Sequence, residues 1–228
     1  MQFVLAFDAG AGTLAITLRH RSTSLLCRAV PLHWADMLRS ASSSLGFIKP
    51  ELPTIVPEPP TGEGWIHEIK HDGYRTLVVI EGGQVRAFTR NGNDWTRAYK
   101  RVVNACTRLA CETALIDGEM VVQDEHGITD FHALRSAIYT APHRLVFFAF
   151  DLLHLNGKDL RGCALLERRA LLRKLIKRDP RSPIQFSDHL ECDGARFFKA
   201  AAELGLVGVV SKRAATLRHA SVRQLITD

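Results

Sequence analysis

The apolar and polar positions divide the chain into short blocks, most of them with the two-residue period of strands. Residues 65–70 alternate, which puts Glu68 and Lys70 on one face of a strand and Trp65, His67 and Ile69 on the other. Residues 74–80, rich in β-branched side chains, predict a second strand; Gly82-Gly83 predicts a hairpin and 85–90 the returning strand. Asn91-Gly92 is a further turn, and 97–109 places apolar residues at 98, 99, 102, 103, 105, 106 and 109, a helical spacing. Residues 115–122 read as two short strand pieces around Asp117-Gly118. Helices are expected over 130–139 and 165–176, and from Asp193, a capping residue, to Gly205 at a C-cap position. Residues 145–153 form a continuous apolar run with one aspartate, which suits a buried central strand closed by a turn at Asn156-Gly157. Strands at 184–190 and 206–211 complete the pattern.

Before residue 45 the pattern carries no motif. Apolar runs at 3–7 and 14–18 suggest strands, and Ala41-Ser42-Ser43-Ser44 reads as a linker. Pro50, Pro53, Pro57, Pro59 and Pro60 keep the next stretch extended by removing amide donors. Strands and helices mix without a strict βαβ repeat, so the expected class is α+β, with largely antiparallel sheets packed against helices.

Composition narrows the classes. A chain of 228 residues with 46% hydrophobic and 24% charged residues is globular. Its net charge of +6 and pI near 9.3 suit a nucleic-acid partner. The five cysteines, Cys27, Cys106, Cys111, Cys163 and Cys192, include no Cys-x-x-Cys pair, which argues against a disulfide framework or zinc site and for a reducing compartment. No apolar run approaches the roughly 20 residues of a membrane helix. Asp8 interrupts the apolar N-terminus and no basic residues lead it, so no signal peptide, no membrane partner and a cytoplasmic location are expected.

Candidate chemistry centres on Lys70. A lysine ending a half-buried strand, beside Glu68 and before Asp72-Gly73, reads either as a salt-bridged strand end or as a nucleophile whose amine pKa is lowered by desolvation or a nearby cation. The text Glu68-x-Lys70-x-Asp72-Gly73-x-Arg75 resembles the nucleotidyltransferase motif of the ATP-dependent DNA ligases. The wider stretch from Phe47-Ile48-Lys49-Pro50 to Arg75 is similar to the adenylation domain of the bacterial end-joining ligases.

That resemblance implies an ATP-grasp-like nucleotidyltransferase domain over 45–213, an extension of unknown role at 1–44 and a divergent tail at 214–228. It implies that Lys70 attacks ATP to form a lysyl-AMP, that Glu68 reads the adenine amino group, and that Arg75 contacts the nucleotide. Arg90, in Phe88-Thr89-Arg90-Asn91-Gly92, would hold the ribose or phosphates. Glu119, in Ile116-Asp117-Gly118-Glu119, would contact the ribose and the metal environment. Phe150, or its neighbour Phe148, would stack on the base, and Lys212 would bind the triphosphate. ATP with Mg²⁺ or Mn²⁺, nicked or broken duplex DNA and a Ku-type end-binding protein are the implied cofactors and partners, in DNA repair or recombination. Two features depart from the family. Val207 stands where a metal-ligating glutamate is expected, and residues 214–228 show neither the Trp-x-Lys-x-Lys text nor an OB-fold domain. A non-sealing ATP- or DNA-binding remnant is therefore the alternative, and an RNA ligase or capping enzyme a third reading.

Overall fold

The structure, a computed structural model, describes residues 45–218 and 225–227, together with the backbone of 4–8 and 13–17. The expected linker at 41–44 and Cys27 lie outside the described residues. In chain order the elements are β1 (Val4–Asp8), β2 (Thr13–Thr17), β3 (Thr54–Ile55), β4 (Trp65–Ile69), β5 (Tyr74–Glu81), β6 (Gln84–Thr89), α1 (Lys100–Cys106), β7 (Ala114–Val121), α2 (Phe131–Thr140), β8 (Val146–Leu155), β9 (Lys158–Asp159), α3 (Leu165–Leu175), β10 (Ile184–Phe186), α4 (Gly194–Glu203), β11 (Val209–Arg213) and β12 (Leu225–Thr227). The class is α+β, as the mixed pattern predicts.

Two sheets build the site. The larger has the order β10-β8-β7-β5-β6, with β9 beside β8, and is antiparallel except where β10 joins β8. Strand period decides its faces. Val78 and Ile80 of β5 join Tyr99, Val102, Leu134 and Ile138 in a core beneath α1 and α2. Leu77 and Val79 point the other way, to a smaller cluster covered by Leu45, Phe47 and Ile48 of the proline-rich strap. The second sheet has the order β3-β12-β11-β4, and α4 packs on its outer face through Phe197 and Ala201 against Val209 and Ile69. Its inner face turns toward the Leu77 side of the large sheet, where Lys212 of β11 lies 4.4 Å from the ring centroid of Phe150 on β8.

Three expectations change. The two strand pieces around Asp117-Gly118 are one strand, β7, whose register against β8 slips between those two residues. A bulge absorbs the turn-prone dipeptide, and glycine is required because a Cβ there would stand 2.5 Å from the Phe147 ring and the Phe148 carbonyl. The helix expected over 97–109 shortens to α1; no side chain caps its start at Tyr99, and residues 107–109 are in turns. The strand expected over 184–190 stops at Phe186, and Leu190 returns only as a bridge to His67.

The second sheet includes a strand past Arg213. β12 pairs with β11 and β3, and Arg218 is 7% exposed. Helices α2 and α4 begin as their caps dictate, the Asp130 and Asp193 side chains accepting from the amides of Ala133 and Arg196. The described cysteines, Cys106, Cys111, Cys163 and Cys192, are free thiols. Among the described residues no helix is long and apolar enough to cross a membrane.

Candidate active site

The inner face of the second sheet supplies Glu68, Lys70 and Lys212. Antiparallel pairing sets Glu68 opposite Val210 and Lys212 opposite Ile66, so Glu68 and Lys212 are diagonal neighbours. Lys212 Nζ lies 2.7 Å from Glu68 Oε1, and Arg169 of α3 donates to the same oxygen at 2.9 Å. All three side chains are buried, so each charge depends on the others. Burial lowers the Lys212 pKa, while the Glu68 charge opposes the shift. Arg169 is fixed further by donating to the carbonyls of Phe150 and Ser187.

Lys70 follows β4 directly. Its amide donates to the Gly208 carbonyl at 2.9 Å, and its side chain is half-buried. Gly73 makes the turn after it possible, because a Cβ there would collide with the Met120 carbonyl. On the opposite face of β4, His67 Nδ1 and Ser211 Oγ are 2.8 Å apart and the His67 ring lies against Phe197, which anchors the strand to β11 and α4.

The large sheet contributes the facing wall. Arg75 donates to Asp117 through Nε at 2.6 Å and Nη2 at 2.9 Å, a bidentate pair, and its guanidinium lies 4.5 Å from the Phe150 centroid. Burial alone would raise the Asp117 pKa; the charge and hydrogen bonds of Arg75 outweigh it and hold the carboxylate ionised. Phe150 thus lies against two cations, Arg75 and Lys212. Phe148, the alternative stacking residue, is covered by His71, whose ring is 4.2 Å away and tilted by 19°. Glu119, opposite Arg75 on β7, is half-buried; burial pushes its carboxyl up to about 8, with the charges of Arg75 and Lys70 opposing. Arg90 is exposed in the turn after β6, apart from the groups that pair across the cleft.

The family model for the ATP-dependent DNA ligase domain matches residues 53–225. The chain belongs to the ATP-dependent DNA ligase domain family. Among curated proteins this ligase-family chain is 42% identical, over 168 residues, to the multifunctional non-homologous end joining protein LigD of Pseudomonas aeruginosa; the match covers 73% of the chain and 20% of LigD. Among solved structures the ligase domain from M. tuberculosis LigD superposes with a TM-score of 0.62 at 30% identity, covering 77% of this chain and 58% of that one. A mycobacterial DNA ligase D complexed with ATP and MES gives 0.60 at 30% identity, covering 77% and 60%. The ligase-family chain therefore spans about a fifth of the length of the LigD protein it matches and under two thirds of the solved ligase domains.

Within this ligase-family cleft, several side chains not singled out from sequence tie the sought ones together. Asp117 also receives Arg218 Nη2 at 3.2 Å, and Asp151 receives Arg168 through Nε at 2.8 Å and Nη2 at 2.9 Å. Arg218 reaches toward Asp151 and Glu51 as well, at 3.9 and 3.6 Å. The signal for them was in the text: aspartates inside apolar strand runs, and an arginine pair within a basic amphipathic helix, are expensive to bury unless they meet.

The donor sets answer differently for the two groups that the family implies. Arg75 and Lys212 beside the Phe150 ring suit a polyphosphate and a base, so the residues fit ATP. They do not make a closed site for Mg²⁺ or Mn²⁺. Both Asp117 oxygens accept from arginines, Val207 offers no oxygen, and no group of three His, Cys, Asp or Glu among the described residues is placed to hold a metal. A cavity of about 720 Å³ lies elsewhere, lined by Trp95, Arg97, Ile138 and Tyr139, and includes none of these side chains.

Proposed function

We propose that this domain transfers the adenylyl group of ATP to Lys70. The Lys70 amine attacks the α-phosphorus, an N–P bond forms, the bond to the bridging oxygen breaks, pyrophosphate leaves with the electron pair, and the amine gives up its proton. Arg75 and Lys212 would neutralise charge on the phosphates, and the Phe150 ring beside them would carry the base. The supporting observation is convergence. Five of the seven side chains named from sequence, Glu68, Arg75, Glu119, Phe150 and Lys212, gather between the two sheets although they come from strands far apart in the chain, and Lys70 directly follows the strand that carries Glu68.

DNA with nicked or broken strands is the proposed acceptor of the adenylyl group, in repair or recombination in the cytoplasm, and a Ku-type end-binding protein the proposed partner. The P. aeruginosa relative is named for non-homologous end joining, which supports this reading. Val207 favours a second one, a nucleotide- or DNA-binding domain that does not seal, since a valine supplies no oxygen for a metal. Incubation with α-labelled ATP and Mg²⁺ or Mn²⁺ separates the two. Label on the wild type that disappears in Lys70→Ala supports transfer, and label on neither, or equally on both, refutes it.

A further inference from the structure

The residue after Lys70 leads out of the cleft to a second surface. His71 lies on Phe148, and Phe148 lines a groove of about 190 Å³ between the C-terminal end of α3, the loop after it and β10. Parallel pairing sets Gln185 of β10 beside Phe148. The Gln185 amide donates to the carbonyls of Asp179 and Ser182, so the loop that forms the rim is pinned. Phe186 adds a second ring, with Arg173 5.4 Å from its centroid.

The cations here exceed what the fold needs. Arg173 pairs with Asp188 at 3.0 Å, and Arg173 and Lys174 sit in the last turn of α3, where positive charge favours the helix dipole. Lys177 and Arg178 lie past the end of α3 at Leu175, are exposed, and line the groove. Neither pairs with an acid among the described residues. The groove is smaller than the roughly 300–1,000 Å³ of a small-molecule site, so a strand laid across it fits better than a molecule enclosed by it.

We propose that this groove seats the backbone phosphates of the DNA strand whose end is presented to Lys70, with Lys177 and Arg178 as the phosphate contacts. The inference rests on the adenylation reading and adds the path by which the acceptor strand approaches. The basic and aromatic surface around Arg97, Arg135 and Tyr139 is the competing candidate. It lies on the α1–α2 side of the large sheet, the face turned away from the cleft, and so does not lead to Lys70.

The test uses the whole chain and a fluorescein-labelled nicked duplex carrying a 5′-phosphate, titrated between about 50 and 200 mM salt. The double variant Lys177→Ala/Arg178→Ala should bind about tenfold or more weakly, and its slope of log affinity against log salt should be shallower by about two, since each phosphate contact contributes about 0.9. Labelling of Lys70 by α-labelled ATP should be unchanged. Unchanged affinity and slope overturn the proposal, as does a loss that appears in Arg97→Ala/Arg135→Ala instead. Labelling that falls together with binding also overturns it, by placing these cations in the nucleotide site. A wild type that binds DNA through this groove yet takes up no label overturns the adenylation reading and leaves the groove assignment standing.

Discussion

Lys212 Nζ and Glu68 Oε1, 144 residues apart in sequence, meet at 2.7 Å inside the protein, and Arg169 shares the same oxygen. Two cations on one carboxylate oxygen are a held position rather than a surface pairing, because none of the three reaches solvent. The pairing holds Lys212 across the Phe150 ring, 4.4 Å from its centroid.

Glu68→Gln leaves Lys212 and Arg169 buried without their counter-charge. The expected loss is about 3–5 kcal/mol, the usual consequence of removing one member of a buried pair. Urea unfolding followed by circular dichroism measures it. The double variant Glu68→Leu/Lys212→Met should recover much of that stability while losing adenylyl transfer, which separates the pair's role in folding from its role in the site.

Glu119 and His71, among the shifted groups, make stability depend on pH with opposite signs. The Glu119 carboxyl, raised to about 8 by burial, binds a proton in the folded state that the unfolded chain has released; its contribution is full below about 4.5 and is lost as pH rises through 8. His71, lowered to about 4 by burial, stays neutral when folded; its contribution is present above about 6.5 and is lost as pH falls through 4. Between 4.5 and 6.5 the two oppose each other. From 6.5 to 8 His71 no longer opposes it, so the Glu119 contribution should lower stability by up to about 1.4 kcal/mol per pH unit. Chemical denaturation across that window should show the slope in the wild type. Glu119→Gln should remove it.

Val207→Glu tests the metal deficit. Position 207 precedes Gly208, whose carbonyl accepts from the Lys70 amide, and its side chain is 37% exposed, so a carboxylate enters beside the strand that leads to Lys70 with little folding cost, about 0.5 kcal/mol or less. Lys70 labelling should rise several-fold over wild type and should fall back on chelation with EDTA. No gain with unchanged melting would show that the deficit lies elsewhere.

Arg218→Ala should destabilise the domain by about 3–5 kcal/mol, because Asp117 and Asp151 lose a cation that bridges them and both are buried. Gly118→Ala should cost about 1–3 kcal/mol for a different reason, a methyl group forced against the Phe147 ring and the Phe148 carbonyl. Thermal melts of the two variants, each with α-labelled ATP uptake, would show Arg218→Ala losing both and Gly118→Ala losing mainly stability.

What the sequence by itself determined is local. Alternation at 65–70 placed Glu68 and Lys70 on one face, capping aspartates set where α2 and α4 begin, and the spaced residues around Lys70 marked the candidate nucleophile and its family. These follow from contacts within a few residues of chain, where strand and helix periods apply. The tertiary structure decided what depends on long-range meetings. It made one bulged strand of two expected pieces, since Phe147 packs on Gly118 from a neighbouring strand. It brought Arg169 to Glu68 and Arg218 to Asp117, pairings 101 residues apart that no periodicity encodes. It left Arg90 exposed in a turn. Buried charges in apolar runs announce that partners must exist; only packing two sheets face to face selects which ones, because the energy of pairing them depends on distance and burial together.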